Sequence, residues 1–185
     1  MFIQTEQTPN PASLKFLPGS PLLEGRKAEF TSMEEAERYS PLAERLLRIE
    51  GVTEIFIADD FVTVTKAESS DWDQLKALVM TSLMQHLTFV EPIVHEEFFK
   101  GEKEAPVYDD EITKQIVALL DERVRPAVAQ DGGDIEFDSF TDGVLYLRMR
   151  GACAGCPSSS MTLKSGIENM MKHYIPEVQS VEAVS

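Results

Sequence analysis

Residues 135–160, "IEFDSFTDGVLYLRMRGACAGCPSSS", decide how this chain is read. "IEFDSF" and "GVLYLRMR" alternate apolar and polar side chains, which is the period of a half-buried strand. "TDG" between them supplies a tight turn, so the two runs should pair as an antiparallel hairpin. A glycine-rich loop follows. It holds Cys153 and Cys156, the two cysteines of the chain. Pro157 and three serines then open a helix. Ser158 or a neighbour caps it, and proline suits its first turn. The spacing in "SSSMTLKSGIENMMKHY" puts Met161, Ile167, Met170, Met171 and Tyr174 on or near one helix face, as core residues rather than soft metal ligands.

Upstream, "DEITKQIVALLDERVRPAVAQ" carries Ile112, Ile116, Leu119, Leu120, Val124 and Val128. It reads as an amphipathic helix that Pro126 kinks near its end. "DGGD" (131–134) reads as the stop and turn before the hairpin, with Asp131 and Asp134 as turn residues rather than cation ligands. Downstream, "VQSVEAV" is a short edge strand. The order helix, strand, strand, helix, strand predicts an α+β domain with its helices on one face of a small sheet.

The clearest seam is "FFKGEKEAPVYDD", with Gly101, Pro106, a charge run and no apolar period. It divides the chain into a domain over 1–97, a linker over 98–108 and a domain over 109–185. The first domain is also α+β. "MFIQTEQ" and "SLKFLPG" read as strands around the turn "TPNPAS". "SMEEAERYSPLAERLLRIEG" is helical, capped by Ser32 and broken by Pro41. "VTEIFIADDFVTVTKAE" is a hairpin about Asp59 and Asp60. "DWDQLKALVMTSLMQHL" places Trp72, Leu75, Leu78, Val79 and Leu83 at helical spacing, with Trp72 as a core anchor.

Composition limits the function classes. The chain has 185 residues, 32 acidic and 17 basic, for a formal net charge of −15. Both halves are acidic, which argues against a nucleic-acid partner, since phosphate backbones require clustered Lys and Arg. No apolar run reaches the roughly 18 residues of a membrane span. The first residues lack a basic and apolar leader and are not Arg-rich. The expectation is a cytosolic protein or a mature form with its targeting segment removed. Two cysteines do not make the disulfide framework of a secreted domain.

The loop before the helix gives Cys153 and Cys156 their setting. A helix N-terminus carries partial positive charge and free N–H groups, and both favour thiolate. The expectation is two exposed thiols with lowered pKa. Thiol–disulfide exchange uses such a pair, but the preceding hairpin is not the β-α-β context of thioredoxin-like proteins. A structural zinc site needs four ligands. His173 lies at the far end of the following helix, and His86 and His95 lie in the other half of the chain. An iron–sulfur cluster takes four thiolates, so one chain offers half a site and two chains could share a cluster. A shared cluster is released when the chains part, which suits delivery. The remaining reading is a pair of structural cysteines.

"DGGDIEFDSF", "LRMRGACAGCPSSSMTLKSGIENMM" and "IPEVQSVEAV" resemble the C-terminal domain of the NifU family. "MFIQTEQTPNPASLKFLPG", "SPLAERLLRIEGVTEIFIADDFVTVTK" and "DWDQLKALV" resemble the Nfu N-terminal domain. The resemblance covers nearly the whole chain. It implies a non-enzymatic iron–sulfur scaffold or carrier. Cys153 and Cys156 of each of two protomers would hold a [4Fe–4S] cluster, making the loaded form a homodimer. Such a protein receives its cargo from an upstream assembly scaffold and hands it to apo-proteins. The first half has no cysteine, so it is expected to bind no cluster and to serve partner recognition. A CxxC thiol–disulfide oxidoreductase is the alternative.

Overall fold

The computed structural model describes residues 2–89, 91–100, 110–155 and 157–184, with the backbone alone for 157–160. The chain forms two compact units, residues 1–104 and 105–185. Both are α+β.

The first unit is built on a five-stranded sheet. Its strands are β1 (Gln4–Gln7), β2 (Ser13–Leu17), β3 (Ala28–Phe30), β4 (Val52–Ile57) and β5 (Val62–Lys66). They run in the order β1-β2-β5-β4-β3, and every pairing is antiparallel. Leu14, Phe16, Ile55, Ile57, Val62 and Val64 are buried in one core with residues of the helices. Those helices are α1 (Met33–Tyr39), α2 (Pro41–Leu47) and α3 (Trp72–Thr88). The break at Pro41 is as expected, with the proline at the start of α2. Ser40 resolves the junction twice. Its Oγ accepts from Ala43 N at 3.0 Å, capping α2, and donates to Ile93 O at 2.6 Å. Trp72 is half-buried with its ring 6.4 Å from Phe16, and its Nε1 donates to Pro11 O at 3.2 Å.

Three points differ from the sequence reading. Leu78 is exposed, because the buried stripe of α3 runs Leu75, Val79, Leu83 and His86 and leaves Leu78 off it. β3 and the short helix α4 (Glu96–Phe99) carry no periodic signal at three and four residues. Packing of the first unit also continues through Phe98 and Phe99. Phe98 stacks on Phe30 at 5.0 Å, and Arg26 lies 4.1 Å over the Phe99 ring. These two residues belong to the segment expected as linker, most of which (101–109) lies outside the described residues.

The second unit contains α5 (Glu111–Leu119), a π-helical turn (Leu120–Val124), α6 (Arg125–Gln130), β6 (Gly133–Thr141), β7 (Val144–Gly151), α7 (Pro157–Tyr174) and β8 (Ser180–Val184). β6 and β7 form the expected hairpin, and β8 lies at the edge. The helical run before β6 has a physical peculiarity. Its buried residues, Ile116, Leu120, Val124 and Val128, recur every fourth position. An α-helix of 3.6 residues per turn overshoots by about 40° at each such step. The wider π turn absorbs the drift, with Arg125 N donating back to Leu120 O. Pro126 follows directly and could not have supplied the regular i→i−4 bond. The expected kink is therefore a change of helical pitch. On α7, Ile167 and Met171 are buried, but Met161 and Tyr174 are exposed. The stripe actually buried passes through Leu163, Ile167, Met170 and Met171, about 200° round the helix from Met161.

In the first unit, Glu54 of β4 stands beside Glu29 of β3. Burial first, and the neighbouring Glu29 second, push its carboxyl up to about 7. A carboxyl whose folded pKa is raised contributes stability at low pH that is lost as pH rises through about 7. Glu54→Gln should therefore raise the thermal midpoint relative to the wild type at pH 8 and do so much less at pH 5. Melts followed by circular dichroism at the two values check this.

Candidate functional site

β7 ends at Gly151, whose backbone is left-handed at φ 59°. Backbone hydrogen bonds then fold the chain in on itself. Ala152 N donates to Gly132 O at 3.2 Å, Cys153 N to Arg150 O at 3.3 Å and Ala154 N to Gly151 O at 3.0 Å. Gly133, the first residue of β6, pairs with Gly151, so the DGGD turn and the cysteine loop lie against each other. Gly155 is again left-handed at φ 70°, and among the described residues no atom lies within 4 Å of where its Cβ would be. The α7 backbone begins at Pro157, where the sequence places the helix start. Cys156 and the side chain of Ser158, the expected cap, lie outside what is described.

The loop delivers Cys153 to the interior, contrary to the expectation of an exposed, activated thiol. Cys153 is 6% exposed and packs in the core with residues such as Ile135, Val128 and Ile167. A Cβ placed on Gly133 would collide with the Cys153 Sγ, so the missing side chain of that glycine is what gives the sulfur its place. Burial pushes the thiol up to about 12, helped by the charges of Asp131 and then Asp134. Desolvation and two carboxylates outweigh whatever a nearby helix N-terminus contributes.

Asp134 is not a turn residue. It is the second residue of β6, fully buried and ion-paired. Arg125, at the start of α6, donates to it from Nε and Nη2, both at 3.1 Å. The same guanidinium donates to Asp121 at 2.9 Å. The π turn is what brings the first residue of α6 round to β6. Sequence pattern alone does not reveal the role of Gly133 or the Arg125–Asp134 pair. The presence of both an acid and two glycines in "DGGD" was the available signal.

The histidines weighed as metal ligands are elsewhere. His173 stacks edge-on against Tyr174 at 4.9 Å, in the last turn of α7. His86 is fully buried in the first unit, 3.4 Å from Glu91. Among the described residues, no group of three or more His, Cys, Asp or Glu is placed to hold a metal ion.

Topology revises one argument made from sequence. β8 pairs with β7 in parallel, Leu145 opposite Val181, so β7, α7 and β8 make a β-α-β unit around the CxxC loop. That is the context in which CxxC pairs carry out thiol–disulfide exchange, where the hairpin alone predicts otherwise. The state of the thiol takes over as the discriminating observation. Exchange needs an accessible thiolate, and Cys153 is neither accessible nor inclined to ionise.

Comparison with known proteins supplies the remaining findings. Residues 116–182 match the family model of the NifU-like domain, and residues 3–89 that of the Nfu/NifU scaffold-protein N terminus. The chain is 49% identical over 185 residues to the human "NFU1 iron-sulfur cluster scaffold homolog, mitochondrial", covering all of this chain and 72% of that one. It is 48% identical to the protein of the same name from Drosophila willistoni, covering 100% of this chain and 64% of that one. It is 46% identical over 186 residues to "NifU-like protein 4, mitochondrial" of Arabidopsis thaliana, covering 98% and 65%. The chain thus spans a little under two thirds of the fly and plant relatives.

The buried ion pair makes a stability prediction. Arg125→Met takes away the guanidinium that faces buried Asp134 inside the second unit, at a cost of about 3 kcal/mol. Arg125→Met combined with Asp134→Leu should recover most of that loss. Chemical denaturation of the single and double variants measures both.

Proposed function

Because the chain belongs to the Nfu/NifU family, we propose that it is an iron–sulfur cluster scaffold and carrier, receiving a [4Fe–4S] cluster from an upstream assembly scaffold and passing it to apo-proteins. The observation that carries this reading is the thiol count: a chain of this family with two cysteines, both in the loop before α7. Four thiolates are the usual ligand set of such a cluster, so Cys153 and Cys156 from each of two protomers complete it. The loaded form is then a homodimer and the cluster is cargo.

The residues suit this cargo. Thiolates are the donors that iron–sulfur clusters take. Among the described residues, nothing lies within 4 Å of where a side chain on Gly155 would begin, which leaves room beside that part of the loop. Cys153 must lose a proton to become a ligand, which its buried setting resists. A weak hold is compatible with a protein that gives its cargo away. The first unit contains no cysteine, and its proposed role is recognition of clients or of the upstream scaffold. The named relatives are mitochondrial proteins, which supports the matrix over a bacterial cytoplasm as the compartment. No helix among the described residues is long and apolar enough to cross a membrane.

The β-α-β setting of the loop keeps one second reading, a thiol–disulfide oxidoreductase. Reduction of insulin by the cluster-free protein with an external reductant, lost on changing either cysteine, would favour it.

Anaerobic reconstitution with iron and sulfide should give the broad visible charge-transfer absorption of a thiolate-bound cluster. Cys153→Ala and Cys156→Ala should each abolish it. Native mass measurement should find one cluster per two chains; a stable loaded monomer contradicts the shared site.

A further inference from the structure

We propose that the cluster-free chain keeps Cys153 sheathed, its sulfur seated in the notch at Gly133, and that the loop must open before Cys153 can act as a ligand. This rests on the reading of Cys153 as a ligand given above. A thiol that joins a second protomer at a shared cluster has to project from the surface. Cys153 does not: it is 6% exposed and belongs to the core of the second unit. The chain therefore has two states of the loop, one sheathed and one presenting.

The parts divide into a fixed seat and a moving arm. Gly133 is the seat. Besides meeting the sulfur, a Cβ there would come within 3.0 Å of Cys153 N and 2.9 Å of Arg150 O, so no larger residue fits while the loop is closed. The strand beneath is anchored at the next position, where buried Asp134 is held by Arg125. The arm is the loop 152–155. Two of the backbone bonds the loop makes, Ala152 N to Gly132 O at 3.2 Å and Cys153 N to Arg150 O at 3.3 Å, are at or beyond the long end of the N–H···O range, so each of these two resists opening only weakly. Left-handed Gly151 precedes the arm and left-handed Gly155 ends it, and among the described residues nothing lies within 4 Å of where a Cβ on Gly155 would stand. Glycine tolerates the backbone change that swinging the arm requires.

The sheath sets how often the thiol can be reached. Chemical attack on a buried group follows the population of the open state when opening and closing are fast. The test uses the full-length cluster-free protein carrying Cys156→Ser, so that Cys153 is the one thiol, with iodoacetamide as probe and mass spectrometry as readout. The expected alkylation is about a hundredfold slower in the native protein than in denaturant at the same pH, an open population of about 1%. Alkylation within about threefold of the denatured rate overturns the proposal. Gly133→Ala in the same background evicts the sulfur and should raise the native rate at least tenfold. An unchanged rate in a variant whose circular dichroism is native overturns the seat. Should that variant fail to fold, the native-to-denatured ratio still decides. Reconstitution of the chain with both cysteines separates the two readings. Slow alkylation with no chromophore supports the sheath and overturns the cluster; fast alkylation with a normal chromophore overturns the sheath alone.

Discussion

The second unit is organised by a buried charge. Asp134 has no exposed surface, and an ionised carboxylate in such a place costs several kcal/mol unless it is paired and hydrogen-bonded. Arg125 meets that need with two hydrogen bonds, and much of the local architecture exists to let it do so. The helical run must deliver residue 125 to the edge of β6, which the π turn achieves. β6 must begin at once after α6, which left-handed Gly132 makes feasible. Once that strand is fixed, Gly133 is fixed, and with it the place that the Cys153 sulfur occupies.

Most elements could be read from the sequence because they are periodic. The β6–β7 hairpin, the break at Pro41 and the course of α7 follow from alternation, proline and helical spacing. Short elements could not be read, since three residues in β3 and four in α4 do not complete a pattern. The direction of β8 was also hidden. An apolar strand looks the same whether it pairs parallel or antiparallel, and the pairing decides whether α7 is a crossover. Met161 and Leu78 show the other limit of periodicity: being near an apolar stripe is not the same as being on it. The π turn was present in the sequence all along, as a spacing of four in place of 3.6.

For the candidate site, the motif was legible and its environment was not. Helix dipole and glycine content both pointed to an activated thiol. What reverses that is a contact between residues distant in sequence, Gly133 and Cys153, together with two carboxylates that the turn brings near. A CxxC loop at the start of a crossover helix is compatible with redox exchange, metal binding or cluster carriage. The degree of burial and the local charge bear on what such a loop can do, and those are properties of the fold. The first unit contributes none of this chemistry. Its antiparallel sheet and capped helices are closed around their own core, which leaves its outer surface as the part that can meet other proteins.

The π turn also gives this segment an unusual sensitivity to chain length. A surface helix generally tolerates a change of sequence far better than a change in residue number. Here the extra residue accommodated between Leu120 and Val124 is the one that keeps a fourfold stripe inward and Arg125 toward β6. Losing it would return the helix to regular pitch and turn everything beyond by about 100°. Insertions and deletions within this stretch are thus registered at the cysteine loop, although no residue of the turn touches it among the bonds described. The length of this helix, as much as the identity of its residues, is part of the site.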